Sequence, residues 1–288
     1  MDQITTVNAK KQHASEVLRK HRGVLVALSG GVDSAVLLAI ACEALGPANV
    51  LAVTGRSAAV TDQEIDDATR VAGALGASHK VVDTHEIESV AYRANTGDRC
   101  FHCRSELFAV LTRMAAASGI DAIAYGAIVD DLGDDRPGMA AAGQFGILAP
   151  LLEANIGKSD IRTLAKDFNL HVHEKPASPC LASRIPVGTE VTRERLEQVG
   201  MAEAAIHELG FRVFRVRHHG DVARLEFGDG EAERLETPST RAKVVAAVQR
   251  AGFQSATLVL AGYRTGGASS GARTVTLYSI EPKRVTGQ

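Results

Sequence analysis

The chain contains no tryptophan and only 4% aromatic residues, so its core has to be built from aliphatic side chains. It also lacks an excess of either charge: 32 Lys and Arg against 34 Asp and Glu leave a net charge of −2. With no global positive field, a nucleic-acid partner is disfavoured and a small substrate fits better. No apolar run reaches the roughly 20 residues that span a bilayer, which argues against a membrane partner. The opening stretch MDQITTVNAKKQHASEVLRKHRG is too polar for a signal-peptide core, so the expected location is the cytoplasm. There the four cysteines, Cys42, Cys100, Cys103 and Cys180, are expected as reduced thiols rather than as a disulfide framework.

What is present is 45% apolar residues over 288 positions, enough for two cores. From 23 to about 128 short apolar runs alternate with longer amphipathic stretches, the pattern of a parallel sheet flanked by helices. VLVAL (24–28), VLAVT (50–54), HKVV (79–82) and AIAYG (122–126) read as buried strands, and 33–45, 61–75 and 103–118 as helices. The second helix opens with Thr61 and Glu64 in capping-box spacing. The stretch 132–146 reads as a functional loop and 158–168 as a helix. Three prolines in 174–192 mark a linker. Beyond it, helices at 193–209 and 241–251 and strands at 213–217, 223–227 and 256–260 suggest a small α+β domain, followed by a Gly-rich tail at 265–272. The predicted fold class is therefore α/β: a doubly wound parallel sheet in 1–172, a linker in 173–192, and a smaller C-terminal α+β domain in 193–288.

SGGVDSA (29–35) lies between a strand and a helix, where backbone N–H groups of the turn and of the helix start converge on one point suited to phosphate. Gly30 and Gly31 let the backbone approach an anion, and the hydroxyls of Ser29 and Ser34 can donate to it. Asp33 would repel the anion unless it holds a Mg²⁺ that bridges to it. The bland alternative is a turn that merely starts a helix. The GK[ST] ending of a Walker loop is missing. The hexapeptide resembles the loop of the PP-loop ATP pyrophosphatases, which implies ATP as the bound nucleotide and AMP and pyrophosphate as products.

Cys180 stands in KPASPCLASR, between Lys175 and Arg184, and nearby cations favour the nucleophilic thiolate. An adenylated carboxylate is an acyl electrophile that such a thiolate can attack. The alternative is a small buried hydrophobe. The segment KPASPCLASRIPVGTEVT resembles the central segment of the LarE family, ATP-dependent sacrificial sulfur transferases. DRCFHCRSELF (98–108), DDLGDDRPG (130–138) and FRVRHHGDVARLEF (214–227) resemble the family's other signatures in the same order. The resemblance implies adenylation of a carboxylate of pyridinium-3,5-biscarboxylic acid mononucleotide, a precursor of a nickel-pincer cofactor. It also implies attack by Cys180, cleavage of its Cβ–S bond to leave dehydroalanine, and a homo-oligomer.

Arg215 and Arg217 alternate on a predicted strand and so share a face, where two guanidiniums can grip phosphate or carboxylate. Glu226, on the next strand, suits either a metal or the orientation of these arginines. Asp130, Asp131, Asp134, Asp135 and Arg136 crowd a loop at the carboxyl edge of the sheet, a place for Mg²⁺ or simply a solvated acidic turn. Arg184 suits stabilisation of a thiolate or adenylate. Cys100 and Cys103 form a CxxC; with Cys180 they would offer three thiolates to a [4Fe-4S] cluster, which would make the sulfur source catalytic rather than sacrificial. The competing reading within the same class is a tRNA thiolase, against which the acidic balance counts.

Overall fold

The computed structural model describes residues 3–132, 137–176, 179–263 and 277–279. The chain divides into two compact units, Met1–Ser178 and Pro179–Gln288. In the first, strands β1 (Val24–Ala27), β2 (Val50–Arg56), β3 (Ser78–Asp83) and β4 (Ala122–Tyr125) form a parallel sheet in the order β3-β2-β1-β4. Helices α1 (Gln3–Arg19), α2 (Val32–Leu45), α3 (Asp62–Ala74), α4 (Val90–Ala94), α5 (Arg99–Ala117), α6 (Pro137–Gln144), α7 (Pro150–Glu153) and α8 (Lys158–Asp167) complete it.

Strand periodicity divides the core into two layers. Val24, Val26, Val50, Ala52 and Ala124 pack with Leu18 of α1, Leu37 and Ile40 of α2, Val71 of α3 and Leu164 of α8. Leu25, Leu51 and Ile123, in one register row, pack on the opposite face with Phe108 and Leu111 of α5 and Ala141 of α6. The sheet is thus doubly wound. Each fully buried aliphatic side chain contributes about 1.5–3 kcal/mol, and α2, apolar on nearly every side, is the central helix.

The predicted capping box is present at α3: Thr61 N–H donates to Glu64 at 3.2 Å, and Glu64 N–H to the Thr61 hydroxyl at 3.3 Å. Four readings need correction. HKVV forms β3, but at the edge of the sheet, with its side chains exposed or half-buried rather than buried. α1 was not anticipated, because its buried stripe of Val7, Ala14, Val17 and Leu18 is spread through a charged sequence. α5 starts four residues earlier than expected, at Arg99. The segment 132–146 is not a continuous loop, because MAAAGQ carries α6, with Pro137 in its first turn.

The second unit carries α9 (Arg193–Glu208), β5 (Phe214–His219), β6 (Val222–Phe227), α10 (Pro238–Arg250), β7 (Ser255–Val259) and β8 (Leu277–Ser279), with sheet order β5-β6-β7-β8. β5 and β6 pair antiparallel, and β7 joins parallel after the α10 crossover. Phe214, Val216 and His218 face inward along β5, so Arg215 and Arg217 share its other face. Phe211 and Phe227 anchor the core with ring centroids 4.9 Å apart. The Gly-rich stretch 265–272 lies outside the described residues.

Candidate active site

In the first unit the turn at 29–34 follows β1 at the carboxyl edge of the sheet. β1 is flanked there by β2 and β4, the switch point at which ligands of open α/β sheets bind. Gly30 adopts φ +74°, and a Cβ on it would collide with the carbonyl oxygen of Glu64 in α3, so glycine is required twice over. The buried Ser34 hydroxyl accepts the Ser29 N–H at 3.1 Å, donates to Gly31 O at 3.1 Å and lies 3.0 Å from the Ser29 hydroxyl. Ser34 therefore shapes the turn from inside, whereas Ser29 is exposed. Gly126, just past β4, runs so close to α2 that a Cβ would lie 2.8 Å from Ser34 N.

Asp33 stands half-buried in the first turn of α2, and its two oxygens accept from Lys158 Nζ at 2.8 and 2.9 Å. Burial pushes its pKa up against the pull of Lys158, and Asp131 and Asp130 add repulsion. Asp130 accepts the Lys158 N–H at 2.8 Å and so caps α8, while Asp131 accepts the Ile128 N–H at 3.2 Å. Asp134, Asp135 and Arg136 lie outside the described residues. Lys175 binds this unit: its ammonium donates to Gly30 O at 3.0 Å and to Asp67 at 2.7 Å. Asp67, buried in α3, also accepts from Gln63 at 3.1 Å and from Arg70. Burial pushes the Asp67 carboxyl up, but Lys175 and Arg70 outweigh it and hold it below the usual carboxylate range.

In the second unit Cys180, half-buried, immediately precedes the short 3₁₀ turn Leu181–Arg184. The Arg184 side chain is only 3% exposed. It donates to the carbonyls of Pro179 and Cys180 (the latter at 3.1 Å) and to the Ser183 hydroxyl at 3.0 Å. Glu203 of α9 grips it from the other side, accepting Nε at 3.0 Å and Nη2 at 2.9 Å, and also accepts the Val216 N–H of β5 at 2.9 Å. Arg217 donates to Ser183 O at 3.1 Å and to Glu226 at 2.8 Å, and Arg224 lies 3.5 Å from the same Glu226 oxygen. The cysteine turn is thus pinned to helix and sheet by two arginines, each backed by a glutamate. Arg215 stacks 4.7 Å from the Tyr263 ring. Burial and then the Arg184 charge lower its pKa, with Tyr263 and Glu203 opposing and Arg217 adding to the effect.

Residues 7–124 match the NAD synthase family. The uncharacterized protein slr1717 of Synechocystis is 38% identical over 242 residues, covering 84% of this chain and 90% of that one. The pyridinium-3,5-bisthiocarboxylic acid mononucleotide synthase of Lactiplantibacillus plantarum is 35% identical over 263 residues, covering 91% of this chain and 95% of that enzyme. The chain belongs to the LarE family. The tRNA-specific 2-thiouridylase of Beijerinckia indica is also similar, 31% identical over 191 residues, but the match covers 54% of this chain and 44% of that protein.

LarE membership places the chain among the PP-loop enzymes that use ATP, and the residues fit a Mg²⁺ accompanying that nucleotide. Mg²⁺ is commonly held by one or two carboxylates together with substrate phosphates. Asp33 presents a desolvated carboxylate at the loop, with Lys158 now supplying its counter-charge. Among the described residues no three His, Cys, Asp or Glu side chains are grouped to hold a metal ion. Asp33, Asp130 and Asp131 therefore make no all-protein cage, and Glu226 instead serves Arg217 and Arg224. No grouping among the described residues supports an iron–sulfur cluster on Cys100, Cys103 and Cys180, the first two of which belong to the first unit and the third to the second. Cys100 is exposed on the first turn of α5, and Cys103 Sγ donates to Glu86 at 3.9 Å. Lys158, Asp67 and Glu203 were not identified from sequence. Lys175 was, but as a neighbour of the thiol rather than a partner of the loop.

Proposed function

We propose that this chain is an ATP-dependent sulfur transferase acting on pyridinium-3,5-biscarboxylic acid mononucleotide. The observation that carries the reading is the 35% identity, over 91% of the chain, to a relative named for the bisthiocarboxylic product, in a chain that presents Cys180 on a turn built by Arg184 and Glu203.

Residues 29–34 bind the pyrophosphate end of ATP through the turn N–H groups and the Ser29 hydroxyl, with Asp33 holding Mg²⁺. When bound, Mg²⁺ supplies charge neutralisation of the phosphates. A substrate carboxylate oxygen attacks the α-phosphorus and pyrophosphate departs. The Cys180 thiolate then attacks the acyl carbon of the adenylate, and AMP leaves with the C–O bond pair, giving a thioester. Removal of the Cys180 Cα proton expels the sulfur from Cβ as thiocarboxylate and leaves dehydroalanine. Each chain donates one sulfur.

Arg215 and Arg217 bind the substrate's phosphate or carboxylate, an anion that relieves the repulsion among three neighbouring guanidiniums. Arg184, its donors directed into the turn, positions Cys180 rather than meeting substrate. The same reading makes the protein a cytoplasmic homo-oligomer, organised as a nucleotide domain followed by the cysteine turn and a smaller α+β domain.

The test is pyrophosphate and AMP formation with ATP, Mg²⁺ and the pyridinium mononucleotide. The reading expects both products only when the mononucleotide is present. Pyrophosphate formation that requires tRNA would support the thiouridylase reading, which the partial match to that enzyme favours.

A further inference from the structure

The Gly30–Gly31 peptide joins the two glycines of the loop, and the Lys175 ammonium donates to its carbonyl oxygen. Gly30 sits at φ +74°, where a glycine-flanked peptide can turn over at low cost. In a trans peptide the carbonyl oxygen and the next N–H point in opposite directions. With Gly30 O directed at Lys175 Nζ at 3.0 Å, the Gly31 N–H faces away from it, toward the Ser29 hydroxyl at a long 3.3 Å. That N–H and the first-turn N–H groups of α2 are the donors an anion meets. If the peptide flipped, an oxygen would replace a donor at the same point. Lys175 is in turn fixed by Asp67, 2.7 Å away and 5% exposed, which also accepts from Gln63 and Arg70 of α3 and lies 3.7 Å from His171 Nε2.

We propose that Lys175 is a positioning residue of the ATP site: through Asp67 and the Gly30 carbonyl it holds the loop peptide in the orientation that receives pyrophosphate, without itself binding the nucleotide. The proposal rests on the ATP-loop reading above and goes beyond it by separating residues that touch phosphate from residues that aim the loop.

Two variants distinguish aiming from direct contact. Lys175→Met removes the clamp. Asp67→Asn leaves the lysine in place but loosens its anchor, freeing the ammonium to reach a phosphate. Binding of a non-hydrolysable ATP analogue, of pyrophosphate and of AMP is measured by calorimetry on the full chain, with thermal melting as the folding control. The expected result is about tenfold weaker binding of the analogue and of pyrophosphate in both variants, about 1.4 kcal/mol. AMP affinity should stay within about twofold of wild type, because AMP lacks the group the loop grips. Lys175→Arg, which can still reach a carbonyl and a carboxylate, should recover part of the loss.

Unchanged analogue binding in Lys175→Met overturns the proposal. So does Asp67→Asn binding as tightly as wild type or tighter, which would make Lys175 a direct phosphate ligand. Equal losses for AMP and the analogue also overturn it, as a general structural effect. If Lys175→Met does not fold, Asp67→Asn and Lys175→Arg carry the comparison. Wild-type protein that binds neither analogue nor pyrophosphate would sink the ATP-loop reading itself.

Discussion

Replacing Glu203 by alanine should unfold the cysteine turn while sparing the nucleotide site. Glu203 makes three bonds, two to Arg184 and one to the Val216 N–H, and its removal leaves a guanidinium whose side chain is 3% exposed without its carboxylate. Breaking a buried pair by removing one partner costs about 3–5 kcal/mol. Glu203 is itself 16% exposed, so water can partly replace it and the lower end, about 3 kcal/mol, applies. For a unit of this size that corresponds to a transition roughly 12–20 °C lower. Scanning calorimetry should show the second unit's transition falling by that amount while the first unit's stays in place. Binding of an ATP analogue should persist, pyrophosphate formation with the pyridinium substrate should fall because Glu203 also holds β5 between Arg215 and Arg217, and thiocarboxylate should not form. Glu203→Gln, which keeps an acceptor for Val216 but not the charge, should lie between. A Glu203→Ala protein that melts like wild type would refute the claim that this carboxylate holds the turn.

Gly30→Ala should abolish pyrophosphate formation, because the left-handed backbone costs about 1–2 kcal/mol for alanine and its Cβ would push against the Glu64 carbonyl; tight analogue binding by this variant would contradict the loop geometry. Burial raises the pKa of Asp33, so its charged form is lost at a pH above the ordinary carboxylate value as pH falls. A bound Mg²⁺ opposes that rise, and Asp33→Asn should raise the Mg²⁺ concentration needed for pyrophosphate formation and lower its rate. Because a raised carboxylate pKa makes the folded state bind protons more tightly than the unfolded state, its ionisation costs stability as pH rises, and Asp33→Asn should melt no lower than wild type at neutral pH. Burial pushes the Cys42 thiol up to about 11, so at neutral pH iodoacetamide should label the exposed Cys100 and leave Cys42 unmodified in the folded protein, as peptide masses would report.

The parallel sheet was legible because buried strands such as VLVA and AIAY are short apolar runs that need no context, and because Thr61 and Glu64 announce α3. α1 was missed because only five of its described positions are buried, one of them the polar Ser15, too sparse an apolar signal among lysines and polar residues. α6 was hidden by its flanking acids and glycines. Around the site, local sequence marks groups whose neighbours in the chain explain them, such as the loop glycines and Cys180. It does not mark Lys158, Asp67 or Glu203, whose partners Asp33, Lys175 and Arg184 lie 125, 108 and 19 residues away and become neighbours only on folding. Nor does it reveal commitment: Arg184 reads as a free cation near a thiol, yet its donors are directed into the turn and into Glu203. Glu226 reads either as a metal ligand or as an orienter of the arginines, and its hydrogen bond with Arg217 fits the second.

The central claim, that Cys180 itself is the sulfur source, is tested most directly by the intact-protein mass after reaction with ATP, Mg²⁺ and pyridinium-3,5-biscarboxylic acid mononucleotide, with the change located by peptide mapping. The account predicts the loss of one H₂S per chain, found at Cys180 as dehydroalanine, in step with AMP, pyrophosphate and thiocarboxylate formed. Thiocarboxylate formed by a protein of unchanged mass would contradict it.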